Sequence, residues 1–364
     1  MKPVAPVLIM AGGTGGHIYP ALAVADQLRE QGVEVRWLGT RNGLEAEVVP
    51  KANIAIDYIN ITALRGKGLL RKLSLPFTLL NAMWQAWKIL RRLNPSAVLG
   101  MGGFVTGPAG LVAVLTGRPL LVHEQNAVAG MTNRWLARWA SKVMGAFPGV
   151  LPGAVLIGNP IRGDILNLPA PAERFQARQG QPLHLLVLGG SLGAKGLNDV
   201  VPEALALIEK EDRPEVWHQA GKRNITDAQQ AYRQAGVEGR VDAYIDEMAE
   251  AYAWADLVIC RAGALTIAEL ACAGVGSILV PYPHAVDDHQ TKNAQYLAEN
   301  HAATVVQQRE LDATRLAEMI NGYLLPEQGR AKLLQMAEAA RALGKPEATA
   351  SVAACCLEVA NHGA

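Results

Sequence analysis

One turn occurs twice in this sequence. Apolar residues 7–10 run into Gly12-Gly13-Thr14-Gly15-Gly16, and residues 184–188 run into Gly189-Gly190-Ser191-Leu192-Gly193. Each turn is followed by a helical pattern, and the two lie about half of the 364-residue chain apart. A short, unbroken apolar run is the mark of a strand buried on both faces, which is how strands of a parallel sheet are buried. Around both turns, apolar runs alternate with helical segments. In the first half the strands fall at 7–10, 33–38, 97–99 and 120–123, with helices at 18–31 and 44–51. In the second half they fall at 184–188, 216–219, 241–244, 257–260 and 277–280, with helices near 224–235, 247–253, 264–273 and 290–300. This alternation predicts α/β architecture: two doubly wound, Rossmann-like parallel-sheet domains facing across a cleft. The boundary falls near Gly158-Asn159-Pro160, and a helical tail spans about 329–360.

Composition narrows the class. Half of the residues are hydrophobic and 18% are charged, which excludes wholesale disorder. The four cysteines include no Cys-x-x-Cys pair, which excludes a disulfide scaffold and a zinc finger and suits a reducing compartment. The start of the chain lacks the long apolar run of a signal peptide. The longest uncharged stretch, 93–117, is broken by six glycines and two prolines and reads as strand, loop and helix rather than as a membrane span.

The net charge of +1 hides an asymmetry. Residues 1–160 hold 16 Lys and Arg against 7 Asp and Glu, and the remainder hold 18 against 26. No acidic residue lies between Asp57 and Glu124. The first half therefore presents a positive field, attractive to anionic lipid, nucleic acid or a phosphorylated substrate.

A glycine-rich strand–helix turn lets backbone N–H groups approach an anion. Two common uses fail on spacing. The dinucleotide fingerprint needs a third glycine where Ile18 stands and a carboxylate where the second strand ends in Trp37-Leu38-Gly39. The nucleotide P-loop needs Gly-Lys-Ser/Thr, and the chain has Gly193-Ala194-Lys195-Gly196. His17, at the mouth of the first helix, is either a loop-bonding imidazole or a general base.

The motifs together are specific. They are Met10-Ala-Gly-Gly-Thr-Gly-Gly-His17, Gly100-Met-Gly-Gly-Phe-Val-Thr-Gly-Pro108, His123-Glu-Gln-Asn126, Gly158-Asn-Pro160, Gly189-Gly-Ser-Leu-Gly-Ala194, Ala253-Trp-Ala-Asp256, Cys260-Arg-Ala-Gly-Ala-Leu-Thr-Ile-Ala-Glu269 and Asp288-His-Gln290. In this order the chain closely resembles, from about residue 7 to about 300, the bacterial undecaprenyldiphospho-muramoylpentapeptide β-N-acetylglucosaminyltransferases, the lipid II-forming enzymes of peptidoglycan synthesis. The resemblance implies a GT-B fold. It implies inverting transfer of N-acetylglucosamine (GlcNAc) from UDP-GlcNAc to the C4 hydroxyl of the muramoyl sugar of lipid I, without cofactor or metal. It also implies a peripheral protein on the cytoplasmic face of the inner membrane, with partners among cell-wall synthesis and division proteins and no nucleic acid. Its implied domains are 1–161 for acceptor and membrane docking, 162–340 for UDP-GlcNAc, and a C-terminal helix, 341–364, packing back on the first domain.

The resemblance also assigns residues. His17 is the base, with Glu124 the runner-up. Contacts to UDP-GlcNAc fall to Thr14, Gly15, Gly16, Asn126, Arg162, Ser191 and a backbone group of Ile245. Ala264, Leu265, Thr266, Ile267 and Ala268 join them at a helix start, with Glu269 on the ribose hydroxyls and Gln290 on the sugar. His284, Asp287, Asp288 and His289 have metal-ligand chemistry, but the resemblance makes them a donor-sugar loop; some family members carry Gln where this chain has His289. The stretch 62–95 joins apolar residues and two tryptophans to seven cations and no anion. It reads either as a core helix with a solvated basic face or as a membrane patch centred on Lys67, Leu70, Arg71, Lys72, Leu73 and Phe77. A UDP-GlcNAc 2-epimerase shares the architecture and is the alternative enzyme; a non-catalytic nucleotide-binding or scaffold protein is the third reading.

Overall fold

The computed structural model describes residues 5–61, 69–190, 192–325 and 328–362. The chain divides into two compact units: residues up to Arg162 with those from Glu347 onward, and Gly163–Pro346.

In the first unit the order is β1 (Val7–Ala11), α1 (Gly15–Glu30), β2 (Val35–Gly39), α2 (Glu45–Lys51), β3 (Ala55–Tyr58), α3 (Leu69–Leu93), β4 (Ala97–Gly102), α4 (Thr106–Leu115), β5 (Leu120–Glu124), α5 (Met131–Leu136), β6 (Lys142–Gly145) and β7 (Val155–Leu156). The second unit runs α6 (Gly163–Leu166), α7 (Pro171–Ala177), β8 (His184–Leu188), α8 (Lys195–Ala206), β9 (Glu215–Gln219), α9 (Ile225–Ala235), β10 (Arg240–Asp242), α10 (Met248–Trp254), β11 (Leu257–Cys260), α11 (Ala264–Ala273), β12 (Gly276–Leu279), α12 (His289–Ala298), β13 (Ala303–Val305), α13 (Ala313–Leu324) and α14 (Gln328–Leu343). Helix α15 (Ala348–His362) belongs to the first unit.

Both sheets are parallel and share one winding. The orders are β3-β2-β1-β4-β5-β6-β7 and β10-β9-β8-β11-β12-β13. The order reverses between β1 and β4, and again between β8 and β11, so each sheet has a topological switch point, where open α/β sheets bind ligands beyond the strands' carboxyl ends. Strand alternation sends β1 into two cores. Val7, Ile9 and Ala11 join Ile18, Ala21, Ala25 and Leu28 of α1. Leu8 and Met10 join Ala82, Ala86 and Leu90 of α3 and Ala109 and Val112 of α4. In the second unit, Leu185, Val187, Leu257 and Ile259 pack with Leu197, Val201, Ile320 and Leu333.

Two differences from the sequence expectation concern helix ends. Helix α1 begins at Gly15, three residues before the expected start, because extended Thr14 (φ −118°, ψ 157°) caps it. Its first-turn N–H groups need no intrahelical partner, so glycine's low helix propensity costs little there. The single helical tail is two helices, broken at Gly344-Lys345-Pro346. Helix α14 packs on α11 and β12, whereas α15 packs on α1 and β4.

Candidate functional site

At the carboxyl end of the first sheet, the turn after β1 meets the turn after β4. The Gly12 N–H donates to the Gly102 carbonyl at 3.3 Å. Gly103 has φ +90°, and a Cβ there would lie 2.3 Å from the Gly12 oxygen, so only glycine permits the approach. His17, on the first turn of α1, is thereby brought against this second turn: a Cβ on Gly102 would stand 2.7 Å from its Nδ1. The same Nδ1 lies 2.9 Å from Oε1 of Gln125. Gln125 is fully buried, and its Nε2 lies 3.1 Å from His123 Nδ1 and 3.2 Å from the His123 carbonyl. His123 Nε2 reaches the Gly158 carbonyl at 2.8 Å. Burial pushes the His123 pKa down to about 4, outweighing the raising effects of that bond and of Glu124, so the ring is neutral near pH 7. Thr14, Gly15 and Gly16 form the start of α1, and the Arg162 guanidinium lies 5.7 Å from the Tyr19 ring centre on the same helix.

Sequence reasoning missed Glu45, whose fully buried carboxylate braces the first turn from the α2 side. It accepts from Gly13 N–H at 3.0 Å and from the N–H and hydroxyl of Thr40, each at 2.8 Å. Gly12, Gly39 and Gly43 crowd it so closely that a Cβ on any of them would lie within 2.7 Å of the carboxylate side chain.

Glu124, at the end of β5, is also buried, and both its oxygens are engaged. Oε1 accepts from the Asn126 N–H (3.0 Å) and side-chain amide (3.4 Å), and Oε2 from Gly130 N–H (3.0 Å) and Asn133 Nδ2 (2.9 Å). The structure thus brings together the two members of the His123–Asn126 motif assigned to substrate chemistry, with Glu124 holding the loop that carries Asn126.

In the second unit the turn after β8 is braced by the turn after β9. Gly193 has φ +77°, and a Cβ on it would lie 2.0 Å from the Ala220 carbonyl oxygen. The Asn198 amide donates to the same carbonyl at 3.0 Å and lies 3.1 Å from His218 Nε2; His218 Nδ1 lies 3.0 Å from the Tyr232 hydroxyl. Burial lowers the His218 pKa to about 3. Ser191 lies outside the described residues.

Helix α11 starts from extended Gly263. Ala264, Leu265 and Thr266 make its first turn, while the Ile267 N–H donates to the Gly263 carbonyl and its side chain is buried. A helix N-terminus directs its orphan N–H groups outward and favours an anion. Ala268 and Glu269 lie on the next turn. Glu269 is buried rather than solvated, and its Oε2 accepts from the Tyr252 hydroxyl at 3.1 Å. The Ile245 N–H donates to Gln219 Oε1 at 2.9 Å, and the Tyr282 N–H donates to Gln290 Oε1, also at 2.9 Å. Asp287 and Asp288 both have positive φ (55° and 51°), a costly conformation for non-glycine residues, just before α12. Among the described residues, no three His, Cys, Asp or Glu side chains gather as a metal ion would require. Arg261, which carried no assigned role, follows β11 directly and is held by the carbonyls of Val280 and Pro281 at 3.1 and 3.3 Å.

Within 62–95, the described side chains of helix α3 divide into two faces. Ala82, Ala86 and Leu90 are buried in the core. Phe77, Leu80, Trp84 and Trp87 are exposed, Phe77 to 74%. Lys88 Nζ stands 3.5 Å from the Trp84 ring centre, and Arg91 covers Trp87. Sequence reading missed further exposed apolar residues: Leu115 on α4, Met131 and Trp135 on α5, and Trp139 beyond it. Helix α4 packs against both α3 and α5. Lys67 lies outside the described residues, and the side chains of Leu70, Arg71, Lys72 and Leu73 are not among those described. No described helix is long and apolar enough to cross a membrane.

Residues 7–145 match the glycosyltransferase family 28 N-terminal domain, and residues 184–352 match the family 28 C-terminal domain. A UDP-N-acetylglucosamine–N-acetylmuramyl-(pentapeptide) pyrophosphoryl-undecaprenol N-acetylglucosamine transferase of Cupriavidus metallidurans is 54% identical over 354 residues, covering 97% of this chain and 98% of that protein. A protein of the same name from Alkalilimnicola ehrlichii is 55% identical, covering 98% and 99%. Among solved structures, Acinetobacter baumannii MurG superposes with a TM-score of 0.83 at 42% identity, covering 97% of this chain and 99% of that one. UDP-GlcNAc 2-epimerase of Neisseria meningitidis, solved with UDP-GlcNAc, has a TM-score of 0.64 at 13% identity, covering 97% and 100%, which is a likeness of fold alone.

Proposed function

The chain belongs to glycosyltransferase family 28, and from that premise we propose that it transfers GlcNAc from UDP-GlcNAc to the C4 hydroxyl of the muramoyl sugar of lipid I, giving lipid II and UDP. The observation that carries this reading is its identity of more than half, along nearly its whole length, to transferases named for that reaction.

The reaction is a single displacement with inversion. The C4 hydroxyl oxygen bonds to the anomeric carbon as the bond from that carbon to the UDP oxygen breaks. His17 takes the hydroxyl proton on Nε2 and later yields it to water; UDP departs with the bonding electrons. His17 is favoured over Glu124 as base because both Glu124 oxygens already accept hydrogen bonds within their own loop. Charge developing on the diphosphate is met by N–H groups of the turn after β8, with Ser191, and of the first turn of α11. Glu269 accepts from the ribose hydroxyls in charge-assisted bonds. The Ile245 carbonyl reads uracil, since its N–H is bonded to Gln219. Arg162, Gln290 and Asn126 contact the sugar nucleotide, as do Thr14, Gly15 and Gly16.

The first unit, residues 1–161 in the sequence reading, takes the acceptor and docks on the membrane; the second takes UDP-GlcNAc. The exposed apolar and cationic face of α3, extended by α4 and α5, rests peripherally on anionic lipid at the cytoplasmic face of the inner membrane. Radiolabelled UDP-GlcNAc with lipid I or a short-chain analogue tests the function. Labelled disaccharide-lipid is expected. Labelled UDP-N-acetylmannosamine would support the epimerase instead, and no product would overturn both.

A further inference from the structure

A base must present a lone pair, and a neutral histidine has only one, on whichever ring nitrogen lacks hydrogen. Which nitrogen that is follows from what the other one touches. At His17 the contact is Gln125 Oε1, 2.9 Å from Nδ1. An amide oxygen only accepts, so Nδ1 must carry the hydrogen.

The Gln125 amide is itself held in one sense. Turned over, its oxygen would face the His123 carbonyl at 3.2 Å, acceptor against acceptor. His123 supports the same sense from its other side. Its Nε2 lies 2.8 Å from the Gly158 carbonyl and must be the protonated nitrogen, so its Nδ1 accepts from the Gln125 amide at 3.1 Å. Burial keeps His123 neutral, so Nδ1 has no second hydrogen to spoil the arrangement. Each member of this network constrains the hydrogen of the next. The polarity runs from the Gly158 carbonyl through His123 and Gln125 to His17 and ends on His17 Nε2.

We propose that Gln125 and His123 are positioning residues that lock His17 in its Nδ1–H tautomer and so leave the Nε2 lone pair as the basic one. Their importance to turnover rests on the reading of His17 as the base; the lock itself does not. Gly102, which a Cβ would bring to 2.7 Å from His17 Nδ1, keeps the ring seated against the second turn. An amide in this place orients the ring without placing a negative charge beside it, so the imidazolium formed in the reaction is not held as an ion pair.

The test is ¹⁵N NMR of the full chain with labelled histidine, His17 being identified by the signal lost in His17→Ala. In the native chain, the neutral ring of His17 is expected with hydrogen on Nδ1 and a bare Nε2. In Gln125→Leu that signature is lost, and kcat falls about 100-fold, the lower end of what a positioned base contributes, while the KM for UDP-GlcNAc stays within about twofold. In a His17→Ala background, Gln125→Leu lowers kcat no further, as expected of residues acting through one another. A native His17 with hydrogen on Nε2 would overturn the lock, and that measurement needs no variant at Gln125. An additive loss in the double variant would reduce Gln125 to a structural residue. If the tautomer behaves as expected but His17→Ala keeps full turnover, the lock stands and the assignment of His17 as base fails.

Discussion

The turn after β1 and the turn after β8 occupy the same place in two sheets of the same winding, yet their bracing differs: the first is held both by Glu45 on the α2 side and by the turn after β4, the second from the β9 side. The first is tied across the switch point: Gly12 bonds to Gly102 of β4, and Gly103 closes over its carbonyl. The second is tied to its near neighbour: the Gly189 N–H donates to Gln219 of β9, and Gly193 sits on the Ala220 carbonyl. The bracing decides what each turn can do. Tying the first turn across the switch brings α1 to the end of β5, which puts an imidazole beside Gln125. Tying the second to β9 leaves the switch between β8 and β11 bordered by the N-terminal turns of α8 and α11. In the proposed function the first turn carries the proton-handling side chain and the second offers N–H groups to the diphosphate.

The sharpest way to break this contrast is His17→Ala. It should lower kcat by about 10²–10⁴, with UDP-GlcNAc affinity by calorimetry unchanged. A comparable loss of donor affinity would mean that His17 itself, and not only its neighbours Thr14, Gly15 and Gly16, holds the nucleotide. Acid should strike both units, because each buries a histidine whose charged form burial disfavours. His123 and His218 have folded pKa values of about 4 and about 3, below the ordinary 6.5. Between those values and 6.5 the unfolded chain binds the extra protons, so stability falls as the pH is lowered through that window. The loss should be on the order of 3 kcal/mol for His123 alone, read as urea midpoints from pH 7 to pH 4. Glu269→Ala should act on the donor side only. Losing a charge-assisted bond of about 1.5–3 kcal/mol raises the UDP-GlcNAc Kd about 10- to 100-fold, with a thermal melt to separate that effect from the lost Tyr252 contact.

Matched alanines sharpen the contrast further. Gly103→Ala and Gly193→Ala each force a side chain at positive φ against a carbonyl, costing about 1–3 kcal/mol of stability. Only the first should disturb the His17 tautomer. The smallest effect belongs to the membrane face. Reversing Lys67, Arg71 or Lys72 to Glu should weaken binding to anionic vesicles by about 1 kcal/mol per cation, seen by co-sedimentation, and should spare turnover of a soluble acceptor analogue.

Much of this was legible in the sequence because it is local. Residues 7–10 and 185–188 announce their strands by unbroken hydrophobicity, and the glycines that follow announce the turns. Helix α3 was legible only as a mixture, because its buried Ala82, Ala86 and Leu90 interleave with the exposed Leu80, Trp84 and Trp87. Strands β3, β6, β7 and β13 passed unread, being short and partly or wholly exposed. The bracing residues were illegible for a different reason. Glu45 looks like an ordinary helix-start carboxylate until glycines from the turn after β1 and from the β2–α2 connection close around it. Gln125 stands between two residues that drew attention, and its role exists only once β5 lies beside α1.

Helix α15 has a consequence for how the protein is made. Val352, Ala353 and Cys356 complete the core shared by α1 and β1, Thr349 bonds to the Ile161 carbonyl at 3.1 Å, and Glu358 pairs with Lys142 at 2.6 Å. A ribosome reaches these residues only after translating the whole second unit. Until then the half that emerged first lacks part of its cover, so it must wait, incompletely closed, for the chain to come back to it.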